Sequence, residues 1–139
     1  MAELLQVELV SPEEVIFSGE ANMVITRTDG GGEIAFQAGH APFLGALVEN
    51  RTRIYLADGN IQDEAVHRCF VEVSHDLVSI LSDNAELAGD IDVERARAAL
   101  ERHERTLKTE KIEAEIADAV AGKARAEARL TTAGVGFTA

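Results

Sequence analysis

Ser82-Asp83-Asn84-Ala85-Glu86-Leu87-Ala88-Gly89-Asp90-Ile91-Asp92-Val93-Glu94-Arg95-Ala96 separates two rhythms. Upstream of it, apolar residues recur mostly at every second position; downstream, at every third or fourth. A period of two belongs to strands and a period of 3.6 to helices. The stretch therefore joins a β half to an α half. It also carries the most specific polar cluster in the chain.

Upstream, Leu5, Val7 and Leu9 alternate with Gln6 and Glu8, and Ser11-Pro12 ends that run. Val15-Ile16-Phe17 reads as a short strand closed by Ser18-Gly19, and Asn22 to Thr28 as the next. Asp29-Gly30-Gly31-Gly32 and Ala57-Asp58-Gly59-Asn60 are turns, and Ser74-His75-Asp76 is a third. Ile34 and Phe36 share a face, and further strands follow near Leu44, Ile54, Ala65–Val73 and Leu77–Leu81. Short strands spaced about 8–12 residues apart predict an antiparallel sandwich or barrel. No crossover helix is visible, which argues against a parallel sheet.

Downstream, Asp90 and Asp92 are N-cap candidates, since a short carboxylate accepts from the orphan N–H groups of a first helical turn. Ala96, Ala99, Leu100, His103 and Leu107 form one stripe. Ile112, Ile116, Ala119, Val120, Lys123 and Leu130 form a second. Both are narrow and alanine-rich, which suits two closely packed antiparallel helices. Narrow stripes bury little area, and at about 25 cal/mol per Å² the pair is weakly anchored and free to open. Gly122 reads as a soft point, costing about 1 kcal/mol against alanine. Thr106–Lys111 holds no Gly or Pro, so one unbroken helix from Asp92 to Leu130 is also compatible with the sequence. The expected architecture is an N-terminal antiparallel β-sandwich or barrel (residues 1–87) and a C-terminal two-helix antiparallel hairpin (residues 88–139), with a frayed tail from Thr131.

Composition narrows function. Apolar residues make up 46% of the 139, enough for a real core. No run approaches a membrane span, and the start, Met1-Ala2-Glu3-Leu4-Leu5, lacks the features of a signal peptide. Cys69 is the sole cysteine, which fits a reducing cytoplasmic setting. The net charge of −12 is uneven: residues 1–89 carry 15 acids and 4 bases, and residues 90–130 carry 10 acids and 9 bases. The first half repels nucleic acid and anionic lipid. The second is either an ion-paired helix surface or an arginine-bearing segment that meets an acidic partner.

Gly30-Gly31-Gly32 opens no helix, so it is a turn rather than a phosphate cradle. His67 and Cys69 lack further ligands at metal spacing, and no metal site is expected. No catalytic constellation stands out, which points to a non-catalytic role. One cluster remains. Glu86, Asp92, Arg95 and Arg102 straddle the boundary, and Arg95 and Arg102, seven apart, share a helix face. Arginine forks suit phosphate, and a nearby carboxylate suits a ribose hydroxyl or an adenine amine. A cap with ordinary surface charges fits the same spacing.

Val10-Ser11-Pro12-Glu13, Phe17-Ser18-Gly19, Gly39-His40-Ala41-Pro42, Val78-Ser79-Ile80-Leu81 with Ala85-Glu86, and Ile91-Asp92-Val93-Glu94-Arg95-Ala96 together resemble the epsilon subunit of F-type ATP synthases, over residues 4–130. Arg68-Cys69 and Glu49-Asn50 depart from that family's glycines. The resemblance implies a β-sandwich foot and a movable helical hairpin in the central stalk of a proton-driven synthase, on the cytoplasmic side of a cell membrane. Implied partners are the gamma subunit, the c-ring and the catalytic alpha/beta head. Implied roles are coupling of c-ring rotation to ATP synthesis and inhibition of ATP hydrolysis by the helices. By the same resemblance, Glu33 and His40 lie in the loop region facing the ring; a loop-bracing role is the alternative for His40. ATP is the implied regulatory ligand, held by Glu86, Asp92, Arg95, Arg102 and Arg129. A free-standing nucleotide-sensing module is the competing reading, and a small β-sandwich enzyme a third.

Overall fold

A computed structural model describes residues 3–135. Met1, Ala2 and the tail beyond Val135 lie outside the described residues. Nine strands come first: β1 (Leu5–Val10), β2 (Val15–Thr28), β3 (Gly32–Phe36), β4 (Phe43–Leu47), β5 (Asn50–Leu56), β6 (Ile61–Val66), β7 (Cys69–Ser74), β8 (Leu77–Ser82) and β9 (Ala85–Leu87). A 3-10 turn, Ala88–Asp90, leads to helices α1 (Val93–Thr109) and α2 (Glu113–Thr132).

β2 organises the sandwich. Its first half pairs with β1 and its second half with β3 and β5. One layer therefore runs β4-β7-β8-β1-β2 and the other β3-β2-β5-β6-β9. Leu5, Val7, Leu9, Val24, Phe36, Ile54, Val71 and Ile80 are fully buried between them. Alternation places these residues on the inner faces, as the period of two requires.

Three strand expectations change. The Ala65–Val73 run is not one strand, because it divides at His67-Arg68 into the end of β6 and the start of β7. Gly19 does not end a strand, because β2 is continuous across it. The Phe17 ring lies over Gly19, where an added Cβ would sit 3.0 Å from it, so the glycine accommodates an aromatic rather than a turn. Phe43 covers Gly45 in the same way on β4. And one pairing, β1 with β8, is parallel. A parallel pair needs a long return path, and here the intervening strands supply it without a crossover helix.

The two departures from the family's glycines meet each other. Arg68 Nε lies 3.7 Å from Glu49 Oε1, joining the β6–β7 and β4–β5 connections. Arg68 is mostly exposed, so the pair contributes at most about 1 kcal/mol.

The helices form a hairpin rather than one rod. Asp92 caps α1, its Oδ1 accepting from the Arg95 N–H at 3.0 Å. The break is made by Glu110, whose Oε1 accepts from the N–H groups of Lys111 (2.9 Å) and Ile112 (3.1 Å). A side chain thus does the work that Gly or Pro would otherwise signal. Ala96, Leu100, Ala126 and Leu130 form an apolar cluster of their own, separate from the sandwich core. α1 packs on α2, and α2 lies over β5 and β6.

The second stripe is rotated from its expected position. α2 buries Ala119, Gly122, Ala126 and Leu130, while Val120 and Ile112 are more than half exposed. Gly122 belongs to the packed face, since a Cβ there would collide with the His103 ring. It is a contact point between the helices, not a soft spot. The helix also continues through Thr132, which is buried, and the Val135 N–H reaches the Leu130 carbonyl at 2.9 Å. The helix therefore runs to Thr132 and a capping turn reaches Val135, while the end of the tail expected to fray lies outside the described residues.

Candidate functional site

β9, the 3-10 turn and both helices converge on one cleft of about 520 Å³. Glu86, Asp92, Arg95, Arg102 and Arg129 all line it. The sequence places Arg95 and Arg102 on one face of α1, and the hairpin turn brings Arg129 of α2 opposite them. Asn84, Asp90, His103 and Arg125 complete the polar wall. Sequence reasoning missed Arg125, although it stands four residues before Arg129 and so shares its helix face.

The charges in the cleft are unequally engaged. Arg129 Nε donates to Glu86 Oε1 at 2.9 Å, tying α2 to β9 across 43 residues of chain. Asp92 spends one oxygen on its helix cap. Among the described residues, Arg95, Arg102 and Arg125 make no salt bridge at all. In a chain of net charge −12, three arginines without a carboxylate partner stand together in one cleft, and their guanidinium forks are of the chemical type that suits an anion. The volume lies in the range of small-molecule sites. His103 stands at the edge, held below the usual imidazole range by partial burial and then by Arg102 and Arg125.

The two residues expected near a ring-facing loop are not brought together. Glu33 is on strand β3, opposite Arg27, whose Nη2 donates to it at 3.5 Å. It borders a groove beside α2 that also contains Arg51, Arg53 and Ala128. His40 does lie in a loop, beyond the other end of β3. Its Nδ1 is 2.7 Å from the Ala41 carbonyl, and its ring meets Phe36 edge-on at 4.9 Å. The Gly39 N–H donates to Asp76 at 3.2 Å, fixing the same loop.

A second surface emerges from the strand register. Ala46 pairs with Phe70, Phe70 with Leu81, Leu81 with Val10, and Val10 with Val15. This is an apolar row crossing every strand of the first layer on its outer face. Phe70 is 57% exposed and Val15 62%, with Leu44 (72%) alongside. The row leaves apolar side chains exposed side by side on the outer face of the layer.

Residues 4–88 match the model of the ATP synthase, Delta/Epsilon chain, beta-sandwich domain. The chain belongs to the ATP synthase epsilon-chain family. It is 38% identical over 133 residues to the ATP synthase epsilon chain of Solibacter usitatus, covering 96% of this chain and 98% of that one. It is 47% identical to that of Brevibacillus brevis over 107 residues, covering 77% of this chain and 80% of the relative. For the Streptomyces griseus epsilon chain the figures are 44% over 101 residues, 73% and 81%. The fold is similar to a chain of the Euglena gracilis mitochondrial ATP synthase solved with OSCP, F1 and the c-ring (TM-score 0.82, 22% identity, covering 94% of this chain and 81% of that one). It is also similar to a chain from the central stalk and c-ring of the Tetrahymena thermophila enzyme (TM-score 0.60, 15% identity, covering 95% and 98%). The family model ends at residue 88, so the cleft, built largely from the helices, lies mostly outside it. Among the described residues no helix is long and apolar enough to cross a membrane.

Proposed function

We propose that this chain is a non-catalytic rotor subunit of an ATP synthase central stalk, with a sandwich that docks and a hairpin that regulates. Its relatives named as ATP synthase epsilon chains support the first part. The apolar row from Ala46 to Val15 is the surface by which the sandwich grips the gamma subunit. The loop holding His40 reaches the c-ring. The complex holds the chain at the membrane periphery on the cytoplasmic side, and there it transmits ring rotation toward ATP synthesis in the alpha/beta head.

The observation that carries the regulatory part is the trio of unpaired arginines over one cleft. ATP supplies the missing anion. Its phosphates pair with Arg95, Arg102 and Arg125, while Asp92 and Glu86 offer acceptor oxygens to ribose or adenine. The cleft exists only while α1, α2 and β9 are assembled, so ATP favours the docked hairpin by binding it alone. When the hairpin leaves, it carries 9 of the chain's 13 lysines and arginines toward the catalytic head and stops hydrolysis.

Titration with ATP, followed through the Asp92 and Arg95 amides by NMR, tests the ligand; no shift at millimolar nucleotide rejects it. Truncation before Asp90 tests the brake. ATPase activity of the assembled complex rises while synthesis survives, and unchanged hydrolysis counts against it. A free-standing nucleotide sensor accounts for the cleft but leaves the apolar row without a purpose. Copurification with gamma separates the two.

A further inference from the structure

We propose that His103 is a further phosphate ligand of the cleft and gains a proton on meeting the anion, which rests on the nucleotide reading and adds a residue and a pH dependence to it. The cleft is polarised along the hairpin. Glu86, Asp90 and Asp92 line one end, where α1 begins. His103 stands eleven residues after Asp92, about 16 Å further along the helix at 1.5 Å per residue. Its ring lies against Gly122 of α2, where an added Cβ would collide with it. That contact fixes its neighbours. Arg102 precedes it on α1, and Arg125 stands three residues after Gly122, on the same face of α2. All three side chains line the cleft. The far end is therefore two guanidinium groups and an imidazole.

No carboxylate faces the ring there. On α1, the residues three and four positions away are Ala99, Leu100, Thr106 and Leu107, all uncharged. On α2, Asp118, one turn before Gly122, is exposed and does not line the cleft. Arg129, seven residues beyond Gly122, is opposite the first turn of α1 and holds Glu86 of β9 at 2.9 Å. Asp90 stays at that end with Asp92, and Arg95 lies between the two ends. Among the described residues His103 makes no ion pair. Partial burial, then Arg102 and Arg125, hold its ring below the usual imidazole range. A phosphate between the two arginines reverses this, because it cancels their charge and accepts from an imidazolium N–H. A value higher with the anion than without it means that affinity rises as pH falls through the two. The same polarity orients the nucleotide, with triphosphate toward His103 and ribose and adenine toward the carboxylates. Acidification then lowers the ATP needed to keep the hairpin docked.

NMR on the full chain follows the His103 ring C–H signals from pH 8 to pH 5, alone and with saturating ATP. The ring is expected to titrate at a higher pH when ATP is bound. Calorimetry with ATP at pH 8 and pH 6 compares the parent with His103→Gln, and the ratio of the two cancels the titration of the nucleotide itself. One proton taken up changes affinity by at most about tenfold per pH unit. Relative to the variant, the parent is expected to bind about three- to tenfold tighter at pH 6 than at pH 8. ATP bound with the ring titration unmoved, or the same pH dependence in both proteins, overturns the inference and leaves the nucleotide reading standing. No ATP bound at either pH overturns both.

Discussion

Replacing Glu64 by glutamine removes a carboxylate that the sandwich holds at a cost. Glu64 is fully buried on β6. Its Oε1 accepts from Gln62 Nε2 at 3.0 Å, and its Oε2 has no partner. Burial pushes the carboxyl up to about 7 from 4.5; Asp63 adds to this and the Gln62 hydrogen bond opposes it. A folded value above the unfolded one favours the protonated form. Its contribution is intact below pH 4.5 and is lost as pH rises to 7. Above 7 the ionised group in the folded state costs about 3 kcal/mol, at about 1.4 kcal/mol per pH unit of displacement. Glutamine matches the shape and stays neutral. Urea unfolding of Glu64→Gln and the parent at pH 4.5 and pH 8 measures the effect, and the difference at each pH cancels every other titrating group. The variant should match the parent closely at pH 4.5 and exceed it by about 2–3 kcal/mol at pH 8. A difference that does not change with pH, or a variant weaker at pH 8, refutes the reasoning.

Leu100→Ala should weaken the helical hairpin by about 2–4 kcal/mol while the sandwich keeps its stability, because their apolar clusters are separate; hydrogen exchange resolved by element checks this. Asp92→Ala should cost α1 about 1 kcal/mol in its cap, whereas Asp92→Asn keeps the cap, so loss of ATP binding in the asparagine variant alone isolates the charge; calorimetry with nucleotide reads both. Phe70→Ser should change the urea midpoint by no more than about 0.5 kcal/mol in stability, since the ring is mostly exposed, and should abolish copurification with gamma.

The fold was legible where period and punctuation agree. Alternation gave Leu5-Val7-Leu9 and Ile34-Phe36, and Gly59 does sit at a positive φ of 91° in the expected turn. Gly19 misled because a glycine beneath an aromatic and a glycine in a turn look alike in one dimension. The helix break was hidden because Glu110 makes it with a side-chain acceptor, and glutamate is a good helix former. Val120 misled because hydrophobicity alone chose it; Gly122, which has no side chain to count, occupies the buried position instead. In the cleft, Arg95 and Arg102 were readable from spacing on one helix. Arg129 came from resemblance alone, since its meeting with Glu86 is a tertiary fact. His67 was weighed only as a metal ligand. Its burial in the β6–β7 connection, with neither ring nitrogen partnered, is a tertiary fact that no local pattern encodes.

If α2 is a latch that ATP holds shut, its distance from the sheet changes with nucleotide. Labels at Asp58 in the β5–β6 turn and Asp118 on α2, both exposed, in a Cys69→Ala background report that distance in the assembled synthase. Two distance populations are predicted, with the short one gaining about a hundredfold over the long one at ATP a hundred times its dissociation constant. A single short distance, unchanged with or without ATP during turnover, would contradict the account.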